Sequence, residues 1–541
     1  MIFQFARDAY YRTNIYNRML RRHGPAQIYG LATDPIPGDP ARGAGMLDGA
    51  MVLAARRRML GDHIFENDLR STAALTDLYG FSWLRDLSAL SAPAASAWAA
   101  ARIGDWLRHG DRWDALTWSP GVTGARLLAW FNYIDFVTTA GDSPLRADMA
   151  ASAAAQLRHL ANTVRAGKRQ GRRPTRMPGD DGVTAGTALI AGSVAVSDMA
   201  PCLAAGLKCL EDALSHDLFS DGGHRSRSPE TALRILARLT EVRLALQVAR
   251  QPPPEFLADA MARLTSAVKA TFLGDGTTAQ FGGGTAVPSP VVSAILGAVG
   301  GRRGATPSLP DWGFERLHGG GTTVVADTGG PLAGLSGGNH AGALSFEMSA
   351  GRHRLVVNCG AHPDETTEWA DVLGATAAHS TLSVNDTDAL PSRVRGKAGR
   401  EAVGMAVRRN EREGSTLVQM GHEGYRRSFG IIHNRDLYLS SAGDDFRGKD
   451  TLVGGAGAFT LRFHLHPDVG VSALSGGDAV LLKLPGGKGW RFRCDGARPA
   501  IEDSVYLGDP AAPRRTRQIV LRGDHRSGET VVRWSFLREG A

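Results

Sequence analysis

The sequence predicts an α+β protein in two parts, an all-α N-terminal domain over residues 1–305 and an all-β C-terminal domain over residues 306–541. Three observations predict it. Up to about residue 300 the chain is rich in Ala, Leu and Arg at helical spacing. After about residue 310 it changes to short alternating runs divided by Gly, Asp and Asn turns. Short loops between the helical segments indicate antiparallel helix pairs stacked as a toroid or solenoid.

In AASAWAAARIGDWLR, Trp98, Ile103, Trp106 and Leu107 fall on nearly one helix face. Ser119-Pro120 and Ser228-Pro229 each open a helix, since proline is tolerated in a first turn. Residues 144–164, 229–250 and 252–274 continue the helical pattern, and residues 288–312 read as the last helix and a linker. The runs LSFEMS, HRLVVNC, STLVQMG, RDLYLSS, LRFHLHP, DAVLLKLP, KGWRFRC and ETVVRWSF read as antiparallel strands of two stacked sheets. The crevice between the two domains is the default place for a site.

A chain of 541 residues that is 43% hydrophobic and 21% charged is globular rather than disordered. The net charge of +8 suits an acidic partner. It is partly clustered, at Arg165–Arg176, Arg393–Arg400 and Arg514–Arg517. No helix-turn-helix, zinc finger or aromatic RNA platform accompanies these runs, which speaks against a nucleic-acid partner. Cys202, Cys209, Cys359 and Cys494 form no CxxC pair and no disulfide framework, and Cys202 and Cys209 share a helix face in the core. The N-terminus lacks the basic start and apolar run of a secretory signal, and no window reaches the ~20 apolar residues of a membrane span. Both points indicate a cytoplasmic chain. No motif speaks to oligomeric state.

Polar residues gather in four places. His224, Arg225 and Arg227 sit on a loop entering a helix N-terminus, a place suited to an anion or to simple capping by Ser228. His340 precedes a hairpin in which Leu344, Phe346 and Met348 alternate with Ser345, Glu347 and Ser349. It lies beside Gly342, where backbone could approach a ligand closely. His379 enters the next strand, so the two histidines could converge on a metal or a sugar, or serve as structural histidines. HEGYRRSFGIIHNRDLYL carries His422, Tyr425, Arg426 and His433, and residues 119–140 carry Arg126 and Tyr133. A tyrosine near arginines is an acid/base candidate because the cations would lower its pKa.

DGGHRSRSPE, HAGALSFEMSAGRHRLVVNCG, ATAAHSTLSVNDTDA and HEGYRRSFGIIHNRDLYL, in this order, resemble the heparinase II/III family of polysaccharide lyases from about residue 45 to the end. The resemblance implies an incomplete (α/α) toroid followed by a layered antiparallel β-sheet (β-sandwich) domain, met in the cell envelope or periplasm. It implies β-elimination on an acidic, uronic-acid polysaccharide: a clamp on the carboxylate, a base for the C5 proton and an acid for the leaving oxygen. Carried onto this chain, His224, His340 and Tyr425 are the catalytic candidates, and Arg126, Arg227 and His433 the substrate-binding ones. The family's structural zinc would fall to His340, Asn358 and His379, with Asn358 where a ligating aspartate is expected; asparagine is the poorer zinc ligand. Ser226 and Thr231 stand where the family carries an acid and the catalytic tyrosine. The expectation is therefore a carbon–oxygen lyase or, alternatively, a catalytically degenerate glycan-binding or envelope-polysaccharide assembly protein on the same fold.

Overall fold

The computed structural model describes residues 2–21, 26–61, 63–109, 112–138, 143–169, 180–301, 304–330, 340–390, 403–474 and 476–540. Arg393–Arg400 and most of Arg165–Arg176 lie outside them. The chain forms two compact units. The first comprises Met1–Asp217, Arg234–Met261 and Ser293–Gly301; the second comprises Leu218–Leu233, Ala262–Val292 and Arg302–Ala541. No described helix is long and apolar enough to cross a membrane.

The first unit is the helical toroid, with successive helices Pro93–His109, Pro120–Val137, Ser143–Arg169, Asp181–Ala195 and Cys202–Asp217. Pro120–Val137 is buried on nearly every side, from Val122 through Ile134, which marks a central helix rather than a surface one. Its Trp130 meets Trp106 edge to face at 5.4 Å, and Phe81 packs against both. Each such aromatic, once fully buried, contributes about 1.5–3 kcal/mol. Ile103 and Trp106 are buried, and Trp98 and Leu107 pack against the same core, as their spacing predicts. Cys202 and Cys209 are buried there as free thiols. One element departs from the all-α expectation: Ala50–Leu53 and Arg56–Met59 form a two-stranded hairpin. Its turn places Ala54 and Ala55 at φ +47° and +59°, and the Asp77 carboxylate accepts the Ala54 N–H at 2.7 Å, holding a conformation that alanine rarely adopts.

The second unit carries two large antiparallel sheets. The eight-stranded sheet runs Gly470–Ala473, Ala479–Lys483, Gly489–Asp495, Gly528–Arg538, Asp445–Gly454, Ile431–Leu439, Ser415–His422, Met405–Arg412. The nine-stranded sheet runs Pro499–Tyr506, Arg514–His525, Gly457–Leu465, His353–Val357, Phe346–Ala350, Thr322–Asp327, Phe314–Gly319, Ser308–Leu309, with Leu382–Val384 paired to Gly457–Leu465. The expected hairpin is present, its strands being Phe346–Ala350 and His353–Val357. The basic run Arg514–Arg517 begins a strand on which Arg514 pairs with Asp468 at 2.7 Å and Arg517 with Asp503 at 2.6 Å.

Inward-facing side chains of both sheets, among them Phe346, Phe463, Phe492, Trp534 and Phe536, build one aromatic core. A polar cluster lies in it. The Asp450 carboxylate, fully buried, accepts from Arg435 Nε at 2.8 Å, from His433 Nε2 at 2.6 Å and from Trp534 Nε1 at 2.7 Å. Gly448 opposes Trp534 across the strands, and a β-carbon there would lie 2.0 Å from the indole. Glycine thus leaves the ring room to reach Asp450. Arg435 also donates to Leu344 O at 2.8 Å and Ser380 O at 3.0 Å, in the segments leading into strands of the other sheet. Its guanidinium therefore bridges the two sheets.

The bonds fix the imidazole tautomers. His422 Nδ1 accepts the Gly424 N–H at 3.0 Å, so its proton is on Nε2 and is donated to His433 Nδ1 at 3.2 Å. His433 then carries its proton on Nε2, facing Asp450. Burial pushes both imidazole pKa values below 6.5, and the Arg435 cation and the donated bonds hold Asp450 well below the usual carboxylate range.

Two outcomes follow from this cluster. Asp450→Ala strands a buried guanidinium and should lower stability by about 3–5 kcal/mol in denaturant unfolding of the full chain. His422 and His433 are neutral when folded but gain protons when unfolded below pH 6.5, so the unfolded state binds more protons there and stability falls as pH drops. Each imidazole contributes up to about 1.4 kcal/mol per pH unit in that window. The denaturant midpoint should decline steadily from neutrality to about pH 5; a level midpoint would contradict the neutral assignment.

Candidate functional site

The loop before helix Pro229–Val248 forms as its sequence suggests. Ser228 Oγ caps the helix by accepting the Thr231 N–H at 3.3 Å. His224 is buried, bridges backbone to Leu218, and uses Nδ1 to accept the Ser226 N–H at 3.2 Å. Its proton therefore sits on Nε2. Arg227, at φ +54°, donates Nε to Trp312 O at 3.0 Å, Nη1 to Gly329 O at 2.9 Å and Nη2 to Gly313 O at 3.0 Å, and it pairs with Asp327. Expected to clamp a substrate carboxylate, this guanidinium instead locks one loop to its neighbours, with its charge already matched by Asp327.

The structure brings His340 and His379 together. His379 is buried and gives its Nδ1 proton to Ala375 O at 2.8 Å, so Nε2 accepts from His340 Nδ1 at 3.2 Å. Burial pushes the His379 pKa down to about 4. Gly342 makes the approach: a β-carbon there would lie 2.5 Å from the His379 ring. Its missing side chain thus serves an internal ring rather than a ligand. The His340 loop is tied down by Ala341, whose N–H donates to Gly374 O and whose carbonyl accepts from Thr376 Oγ1, both at 2.8 Å. His340 remains partly exposed.

Asn358 does not join the two histidines as a third ligand. Its Oδ1 accepts the Ser380 N–H at 3.0 Å, its Nδ2 donates to Gln280 O at 3.2 Å, and its own N–H donates to Glu347 at 2.9 Å. Both ends of the amide are used in buried backbone pairing. Among the described residues no group of three or more His, Cys, Asp or Glu is placed to hold a metal. The set His340, Asn358 and His379 therefore does not fit a structural zinc, which needs four donors, commonly Cys, His or carboxylate.

The remaining candidates are internal. Tyr425 is 1% exposed and donates its hydroxyl to Leu382 O at 3.0 Å. The arginines beside it in sequence do not lower its pKa. Burial dominates and raises it, while Arg426 is paired with Glu423. Arg126 is fully buried in the helical unit, where it donates to Gln156 Oε1 at 2.8 Å, Tyr79 O at 3.0 Å and Thr117 O at 2.9 Å and lies over the Trp106 ring. Expected at a substrate, it joins helices instead. His433 is fully buried against Asp450 and His422, so it too is structural. The sequence reading did not single out Arg435 or Asp450. The available signal was parity, because in IIHNRDLYL Arg435 falls in phase with Ile431, Leu437 and Leu439, and a charge on a core face needs a buried partner.

Residues 301–535 match the family described as Heparinase II/III-like, C-terminal. Among curated proteins, FtsZ-localized protein C of Caulobacter vibrioides is 32% identical over 540 residues, covering 93% of this chain and 89% of that protein. Among solved structures, heparinase III superposes with a TM-score of 0.73 at 12% identity over 97% of this chain and 89% of that one. Heparan sulfate lyase HepC from Pedobacter heparinus gives 0.58 at 13% identity, over 97% and 87%. Chondroitin AC lyase of Streptomyces coelicolor gives 0.56 at 12% identity, over 98% and 83%. The structural likenesses carry the polysaccharide-lyase fold. By the family match and the long relative together, this chain belongs to the heparinase II/III-like family.

Proposed function

We propose that this chain is a heparinase-fold protein that recognises an acidic polysaccharide without cleaving it, and that it acts where FtsZ gathers in the cell. The observation that carries the first part is the burial of Tyr425. A phenol that is 1% exposed, bonded to a backbone carbonyl and raised in pKa is a poor acid or base for a substrate. Arg126 and Arg227, the assigned carboxylate clamp, have their guanidinium groups engaged internally. Elimination next to a carboxylate needs a free clamp for the developing enolate. Thr231, in the place of the family's catalytic tyrosine, offers no titratable group and begins a helix instead.

The second part rests on the 32% identity to FtsZ-localized protein C over most of both chains. Recognition without cleavage is the role expected when the fold persists but Tyr425 and His224 are internal and His340, partly exposed, is bonded to His379. It leaves the protein an envelope-associated factor of cell division rather than a degradative enzyme.

The test has two arms. Purified full-length protein is mixed with a panel of uronate polymers, including the host's own envelope polysaccharide, and the ultraviolet absorbance of unsaturated product is followed. No rise is expected; a rise that depends on the protein would overturn the non-catalytic reading. In cells, a fluorescent fusion should coincide with FtsZ and disperse when FtsZ is depleted. An unchanged pattern after depletion would overturn the second part.

A further inference from the structure

The outer face of the eight-stranded sheet holds a depression of ≈ 450 Å³ that no candidate residue above lines. That volume falls inside the roughly 300–1,000 Å³ range of small-ligand sites. Its shape follows from register. Tyr438 pairs with Arg447, Arg447 with Ser535, and Ser535 with Arg493, so four neighbouring strands present one row of side chains to solvent. Arg447 and Arg493 stand two strand spacings apart, roughly 10 Å. The small Ser535 between them forms the floor of a trough with arginine walls, Arg533 and Leu537 stand at its two ends on the same strand, and Tyr438 lies beyond the Arg447 wall. The next row is Asp436, Lys449, Arg533 and Asp495.

The charges in this trough are only partly matched. Lys449 pairs with Asp436 at 2.9 Å, Arg447 with Asp445 two residues earlier on the same strand, and Arg533 with Asp495 at 4.0 Å. Among the described residues no carboxylate lies within ion-pair distance of Arg493. The trough thus has one guanidinium in need of an anion, a second shared with a carboxylate, a hydroxyl floor and, beyond the Arg447 wall, an aromatic ring. A planar guanidinium takes a carboxylate through two parallel hydrogen bonds.

Asp436 and Asp495 discriminate among anions. They repel a densely charged chain such as a polyphosphate backbone, but they accept hydrogen bonds from hydroxyl groups. An anion that satisfies the whole row carries an isolated carboxylate, several hydroxyls and a flat apolar face for Tyr438. We infer that this trough is a binding site for a uronate-bearing oligosaccharide laid across the strands, separate from the His340–His379 loop, with Arg493 and Arg447 taking the carboxylate, Asp495 and Ser535 the hydroxyls, and Tyr438 the face of the adjoining sugar ring beyond Arg447.

Isothermal titration of the full chain tests this, with tri-galacturonate as the probe. Maltotriose, equally hydroxylated but neutral, and a hexaglutamate peptide, acidic but without hydroxyls, are the comparisons. Tri-galacturonate should bind and the other two should not. The double change Arg447→Gln and Arg493→Gln should weaken binding by about tenfold or more, the cost of losing charge-assisted hydrogen bonds. Ser535→Trp should abolish binding by filling the trough while leaving every charge in place. Both variants alter solvent-facing positions, and their unfolding midpoints, measured alongside, should match the parent's. Absence of binding by tri-galacturonate, binding unaffected in folded variants, or equal binding of hexaglutamate would each overturn the assignment. These results stand apart from the lyase assay, because binding in the trough is compatible with either outcome there.

Discussion

Asp450 occupies the point on which the second unit depends. A carboxylate with no exposure to water holds its charge only if its surroundings replace hydration in full. Here Arg435, His433 and Trp534 each donate to it, and Arg435 extends the arrangement to carbonyls of Leu344 and Ser380. The constraint spreads outward. Gly448 lacks a side chain so that Trp534 can reach the carboxylate. His422 is held in one tautomer by Gly424 so that His433 can present its proton to Asp450. The segments that end at Leu344 and Ser380 lead into strands whose approach is set by the same guanidinium. The polar core specifies how two sheets meet, a task that interchangeable apolar side chains do less exactingly.

The same principle separates structural polar residues from available ones. Arg126, Arg227, Tyr425 and His433 are all residue types used in catalysis, and all four have polar atoms turned to main-chain, amide, imidazole or carboxylate partners within the unit each belongs to. Satisfying a buried donor locally costs less than leaving it open for a ligand that arrives only at times. His340 differs because its ring, although bonded to His379, stays partly exposed. On the outer sheet face the condition is reversed, since the cations there stand in water and a ligand adds partners without any prior burial.

How much of this was legible in the sequence can be followed residue by residue. Helical spacing was enough to place Trp106 and Ile103 in a core, because the period of a helix fixes which side chains share a face. Ser228-Pro229 was enough to place a helix start, because capping is local. The hairpin through Phe346 and Val356 was visible for the same reason. The role of Gly342 was misread, since its missing side chain makes room for His379, which lies 37 residues further along the chain. Tyr425 was misread because adjacent arginines suggested a lowered pKa, whereas the arginines extend away and burial decides. The sequence shows charge and neighbours along the chain; it does not show solvent.

By itself, the sequence determined the class of the protein: a helical array followed by antiparallel sheets, the order of the family's motifs, and the departures at Ser226, Thr231 and Asn358. These are matters of period, turn chemistry and residue identity, and each is settled within a few residues of chain. Only the tertiary structure decided which polar residues are spent and which are open. Asn358 binds Ser380 and Gln280, Arg227 binds Asp327, and Asp450 draws three donors from positions 435, 433 and 534. The trough on the outer sheet likewise needs Tyr438, Arg447, Arg493 and Ser535 side by side, and strand register alone brings them there. Electrostatics and hydrogen bonding act through space, so a residue's chemistry is set by what folding places next to it.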